Sequence, residues 1–549
     1  MSAGERWPAD NEPSQKWPLY TRGNVGEVFP DVVHPLNWLL YGPEAERGWR
    51  DAFGALGLVS SSDFPRDEPW VILGVFGGYC YINASYVRML GVRAPGSNVE
   101  AIDRQFFGES EAPAYVERAG DRDRRATARL TATIARTLTG RSVSGLEADI
   151  GVVDKLHRER PTEGVSSDRI WGFMLGYAPL FRRLFARHIE VTFRSVIASG
   201  LLSDLCRDKL DDPNLIVSLL AGIGDIESAR PADALWELSR LSGTEHEAAR
   251  ERVIETFGFR GPNEWDIGSD TWGLRPSLID AAVDRMRHAE DSHAPRRQRH
   301  EMEKRRDEVS RAALNQLFRA DRVVFKQALR AAVLLSQARE QSKTTVVRSL
   351  HAARLAHREL AGRAAEKGGT TDLADSCLLT PSEFPSYLDT PEAYLDLIAD
   401  RRQERDARDG RVPPFVFESE QPGFDSWLPE GAGVGAAEPG DVLSGIAGCP
   451  GVARGRARVV RDPGQPGDLG PGDVLVAPIT DPSWTPLFSA AEAVVVDVGA
   501  MMSHSVIVSR ELGIPCVVSV SEASYRIPDG ATVEVDGGNG TVRVLELPR

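Results

Sequence analysis

The sequence predicts a multidomain α/β protein, with a largely helical body followed by a compact C-terminal α/β unit. Three observations predict it. The chain has 549 residues, which at ~150 residues per domain is enough for more than one core. Between residues 118 and 364 apolar side chains recur at three- and four-residue spacing, as in 172–202 and 309–360, the period of amphipathic helices. From 444 to 545 short β-prone runs alternate with glycine and proline turns.

Taken in order, residues 24–103 are mixed, with β-prone runs at 70–76 and 79–83, and the helical stretch follows. One mostly helical domain is expected over 1–400. At 401–441 the apolar period stops. The charge run 401–411, Pro413-Pro414 and the glycine-rich 431–440 predict a flexible linker. Residues 442–549 then read as strands at 453–460, 474–477, 493–498 and 516–520, with a pair at 532–535 and 541–545 around Gly537-Gly-Asn-Gly540. The charged stretch 296–306 reads as a solvated helix face.

Composition excludes several function classes. Hydrophobic residues make up 42% and charged residues 26%, so the chain should fold. A net charge of −15 repels polyanions and argues against nucleic acid or an anionic membrane as principal partner. The N-terminus lacks the apolar core of a secretory signal, and no stretch reaches the ~18 apolar residues of a membrane span, so a cytoplasmic location is expected. The five cysteines are scattered without a Cys-x-x-Cys pair and read as reduced thiols. His34, His188, His351 and His357 show no metal-ligand spacing and read as surface or satisfied residues. No metal site is proposed.

The chemistry concentrates at 493–515. A buried strand runs into a loop containing Gly499, and Ser503 is placed to cap a helix that Gly513 and Pro515 stop. His504 then falls on the first helical turn. There a phosphoryl group meets free backbone N–H groups and the positive end of the helix dipole, and the imidazole supplies a nucleophile. In the body, Ala332, Leu335, Arg339, Lys343, Val346 and Leu350 share one helix face, so two cations interrupt an apolar stripe. Arg339 and Lys343 either grip a phosphoryl group jointly or snorkel from the stripe's edge. Arg260 and Glu264 are candidate substrate-binding residues or an internal ion pair, and Arg22 and Glu27 are candidates of the same kind.

Segment 493–515, together with 448–458, 471–476 and 480–486, resembles the phosphohistidine swivelling domain of phosphoenolpyruvate-utilising enzymes. Met501-Met-Ser-His504 resembles rifampicin phosphotransferases more than pyruvate phosphate dikinases, whose regulatory threonine has no counterpart at Met502. Ala500, Ser505 and Val506 depart from the pattern. Residues 20–30 with Pro35, and 78–83, 220–228 and 257–264, resemble the antibiotic-binding part of rifampicin phosphotransferases, with Phe259 where relatives often place histidine. The resemblance implies a swivelling β/β/α domain and a phosphorylated His504. It implies that Gly499 and Ser503 shape the phosphoryl loop and that Arg339-Glu-x-x-Lys343 forms the acceptor site. ATP and Mg²⁺ are expected on a separate ATP-grasp partner, with ATP converted to AMP and phosphate and the phosphoryl group relayed to a small organic acceptor. Two other readings follow: a dehydratase or condensing enzyme acting through a phosphorylated intermediate, and a non-catalytic small-molecule-binding protein.

Overall fold

The computed structural model describes residues 6–548, except 66, 96–98, 108–112, 163, 225, 288–290, 292, 293, 501 and 502. The Met501-Met502 pair therefore lies outside the described residues. Near the N-terminus an antiparallel sheet forms from β1 (Leu19–Thr21), β2 (Leu73–Phe76), β3 (Tyr79–Asn83) and β4 (Val416–Glu418), in the order β2-β3-β1-β4. The two β-prone runs foreseen around residues 70–83 are β2 and β3.

Two long helices, Ser167–Leu210 and Arg319–Glu366, pack along one another, and Pro35–Leu56 packs on the first. Their apolar faces bury an aromatic core that includes Trp38, Tyr41, Phe53, Tyr177 and Trp265. The single amphipathic segment expected at 309–360 is divided. Helix Pro295–Gln316 ends before Leu317 and Phe318, which are both extended, and the next helix begins at Arg319. Neither glycine nor proline marks this break, so the periodicity runs through it unaltered. Within the expected solvated face at 296–306, Arg299 and Arg306 are only 20% and 17% exposed, because both reach inward to partners described below.

The expected flexible linker at 401–441 carries regular structure. Helix Leu395–Asp409 spans its charge run. Each arginine there has a specific partner, which is why the apolar period vanishes while the helix persists. Arg401 forks onto Glu383 at 2.6 and 2.9 Å, Arg405 donates to His34 Nε2 at 2.9 Å, and Arg408 is buried. Beyond it β4 joins the N-terminal sheet, and Phe417 and Trp427 enter the body's core, with Phe417 stacked on Tyr20 at 5.4 Å. Phe417→Ala is expected to destabilise the body by ~3–5 kcal/mol, the cost of an emptied aromatic site, as checked by denaturant unfolding of the variant. A change confined to ~0.5 kcal/mol, typical of surface positions, would mean that this segment contributes little to the body.

The C-terminal sheet has eight strands: β5 (Val442–Ser444), β6 (Ile446–Cys449), β7 (Val452–Val459), β8 (Asp473–Ala477), β9 (Ala493–Val496), β10 (Cys516–Val518), β11 (Thr532–Asp536) and β12 (Thr541–Glu546). Their order is β5-β12-β11-β7-β8-β9-β10-β6, parallel from β7 to β10 and antiparallel on both flanks. Side chains alternate between faces. Val494 and Val496 face Trp484, Phe488, Val506 and Leu512, whereas Ala493 and Val495 face Val533, Val535, Val542 and Val544. Helices thus cover one face and the folded-over hairpin the other. No helix among the described residues is long and apolar enough to cross a membrane.

Candidate active site

Strand β9 is buried on both faces and delivers the chain to Gly499. Only glycine fits there, because a Cβ would lie 2.9 Å from Val518 Cβ. The helix His504–Leu512 then starts, and a left-handed Gly513 ends it. Ser503 occupies the N-cap position but departs from its expected role. Its Oγ pairs with Ser505 Oγ at 2.9 Å, and no side-chain cap hydrogen bond forms. The serine two residues on competes for the hydroxyl.

His504 is half-buried. Its Nδ1 lies 3.3 Å from Thr480 Oγ1, its Nε2 lies 3.2 Å from Thr485 Oγ1, and the Phe488 ring meets it edge-on at 5.7 Å. Hydroxyls both donate and accept, so this bracket fixes the ring plane in either tautomer. Burial first, then the charges of Lys343 and Arg260, hold the imidazole well below its ordinary pKa. It is therefore neutral near pH 7, with a lone pair available.

Lys343 and Arg260 belong to the body, so the two units meet at His504. Thr485 Oγ1 also donates to the Ser228 carbonyl at 3.3 Å, across the same interface. Arg339 and Lys343 lie one turn apart on Arg319–Glu366. Arg339 is 18% exposed, with Nη1 3.7 Å from Glu340 Oε1. Lys343 makes no ion pair or hydrogen bond among the described residues, yet its charge is felt by His504, Glu27, His188 and Asp481. Lys343→Met is expected to move the His504 titration upward, as read from imidazole NMR shifts against pH. An unchanged titration would separate Lys343 from the histidine.

Of the two further candidate pairs, one divides. Glu27 joins the site. Burial pushes its carboxyl up to about 7, against the opposing pull of Arg339 and Lys343. Arg22 does not join. Its guanidinium donates to the Phe29 and Pro30 carbonyls at 3.2 and 3.0 Å and lies 4.6 Å over Tyr79, so it pins a turn and is unavailable to a substrate. Arg260 and Glu264 form a buried pair, with Nη1 at 3.1 and 3.3 Å from the two carboxylate oxygens. Arg260 Nη2 donates to Thr344 Oγ1 at 2.9 Å, one residue from Lys343. Phe259 underlies the guanidinium at 4.7 Å, an apolar support where a histidine contact is missing.

Sequence reasoning assigned no role to four contributors. Thr480 and Thr485 hold the imidazole through tertiary contact alone. Asp481, whose carboxyl burial pushes up to about 6, also lies within reach of Glu264 and Lys343. His188, read as bland, bonds Ser342 Oγ at 3.1 Å, and burial followed by Arg339 and Lys343 depresses it to about 3. The other three histidines read that way are all partnered. His34 pairs with Asp266, His351 with Arg354, and His357 with Ser376.

Comparison with known proteins meets this geometry at both of its halves. Residues 469–540, which hold His504, match the mobile domain of PEP-utilising enzymes, and residues 241–340, which hold Arg260 and Arg339, match the fourth domain of rifampicin phosphotransferase. An uncharacterized protein of Mycobacterium tuberculosis is 33% identical over 319 residues, 58% of this chain and 34% of that protein. Rifampicin phosphotransferase of Streptomyces sviceus is 31% identical over 336 residues, 60% of this chain and 37% of that enzyme. The prodigiosin synthesizing transferase PigC of Serratia marcescens is 31% identical over 288 residues, 52% of this chain and 32% of that enzyme. The chain thus covers about a third of the length of these relatives. It carries a segment similar to the mobile domain of PEP-utilising enzymes behind a segment similar to the fourth domain of rifampicin phosphotransferase.

Proposed function

We propose that the protein is a phosphotransferase in which His504 carries a phosphoryl group from a separate ATP-grasp partner, where ATP and Mg²⁺ bind, to a small organic acceptor held by the body. The observation that carries this reading is one neutral imidazole on the mobile domain facing Lys343 and Arg260 of the body. A phosphoryl group on that ring brings negative charge into a part-buried place where fixed cations act strongly. Arg339 offers a planar fork for its oxygens and Lys343 a point charge. As the acceptor hydroxyl bonds phosphorus, the P–N bond to His504 breaks and its electron pair returns to the ring. The hydroxyl proton passes to Glu27.

Glu27 must be ionised for that step. With its carboxyl at about 7, the charged form grows as pH rises through neutrality. Phosphoryl loss from His504 to acceptor is therefore expected to accelerate from pH 6 to 8, and Glu27→Gln to abolish the rise. A variant with the wild-type profile would exclude Glu27 as the base.

The test of the whole reading is incubation with ATP-grasp proteins and ATP labelled at the β-phosphate. Acid-labile label on His504, chased into a stable phosphoester, is the expected result. Label that never forms with a competent partner would leave only small-molecule binding. Glu27 also favours a second reading, since a carboxyl poised near neutrality suits proton removal in elimination. A product lighter by water would make the phosphoester an intermediate.

A further inference from the structure

The helix that presents His504 turns a second side chain toward the body. Glu511 lies seven residues on, two turns along the same face, and is 1% exposed. Its Oε1 accepts from the Ile223 N–H at 3.0 Å. Its Oε2 stands 3.7 Å from Arg299 Nε and has no hydrogen-bond partner among the described residues. An acidic side chain in a last helical turn opposes the helix dipole, and burying a half-satisfied carboxyl is costly. Neither helix stability nor core packing accounts for it.

The receiving loop is built for such a group. Gly222 adopts φ +55°, and a Cβ there would lie 2.5 Å from the Glu303 nitrogen. Arg306 takes the Gly222 carbonyl at 2.6 Å, and Gln337 takes those of Ile223 and Gly224 at 2.9 and 3.2 Å. With the carbonyls engaged, the loop presents amides to Glu511. Gln337 is two residues from Arg339, so the loop is tied to the helix that holds the phosphoryl-gripping cations.

We propose that Glu511 is the docking residue of the mobile domain, a proton-coupled latch that plugs into the amides of residues 223 and 224 and seats His504 over Lys343. The proposal rests on the reading that this domain moves between two sites. Arg299 and Arg306 face the carboxyl from helix Pro295–Gln316, and Asp233 holds Arg299 at 3.0 and 3.1 Å. Arg339 and Glu340 line the same cleft, and Arg510 flanks it. Burial dominates this balance and pushes Glu511 up to about 7, against the Ile223 amide and Arg299. On release the carboxyl returns toward its ordinary ~4.3. The docked form therefore has the higher pKa and takes up a proton. Docking should be ~tenfold tighter at pH 6 than at pH 8 and level off above that.

Diethyl pyrocarbonate, which modifies accessible neutral imidazoles, reads the undocked fraction in the full chain. The rate at His504 is divided by that at His300, which is 63% exposed. In the wild type the ratio is expected to rise ~tenfold from pH 6 to 8. Glu511→Gln, permanently neutral, should stay low and flat, and Glu511→Ala should be fast at both pH values. An alanine variant as protected as the wild type, or a glutamine variant that keeps the pH rise, overturns the latch. Label on His504 with those overturning rates sinks the latch alone. The expected rates without any label support the latch and sink the carrier reading.

Discussion

Replacing His504 by alanine is expected to abolish acid-labile label on the chain and to lower acceptor phosphorylation by on the order of 10⁴-fold or more, the scale of losing a covalent nucleophile. The effect is local. The ring's polar contacts are Thr480 and Thr485 and its ring contact is Phe488, and Thr485 keeps its bond to the Ser228 carbonyl when the ring is removed. The helix itself is anchored by Val506, Val508 and Leu512 in the sheet core. The variant should therefore unfold at nearly the wild-type denaturant midpoint, which separates a lost carrier from a lost fold. Turnover that survives the substitution would mean direct transfer from donor to acceptor, and Lys343 and Arg339 would then have to serve an intermediate that never rests on this domain.

Much of this arrangement is legible in the chain, for identifiable reasons. The C-terminal strands announce themselves because each alternates or runs apolar between turn residues, a local property. His504 is legible because strand, glycine, cap and helix stop all lie within 23 consecutive residues. Arg339 and Lys343 stand out as cations interrupting an apolar face. What escapes depends on contacts distant in sequence. Arg22 looks like a site residue until the turn at Phe29 and Pro30 claims its guanidinium. Helix Leu395–Asp409 is hidden because ion pairs with the body replace an apolar stripe. Glu511 left a visible signal, an acidic residue at the wrong end of a helix dipole, whose meaning needs the 222–224 loop beside it.

Arg260 and Glu264 carry the last expectation, because the ion-pair and site readings of that pair turn out to be compatible. Both side chains are 2% exposed, and Arg260→Met strands a buried carboxylate, so the variant is expected to lose ~3–5 kcal/mol in denaturant unfolding. Adding Glu264→Leu removes the stranded charge and should restore most of that stability, since a buried pair replaced by apolar residues of similar volume is often neutral. Catalysis should not follow. Arg260 is one of two cations that hold the His504 imidazole neutral, and the double variant lacks it however well it folds. Its His504 titration should stay raised, and transfer should remain ~tenfold or more below wild type. A double variant that recovers both stability and transfer would reduce the pair to scaffolding, whereas recovery of stability alone shows one guanidinium serving the fold through Glu264 and the chemistry through its field on His504.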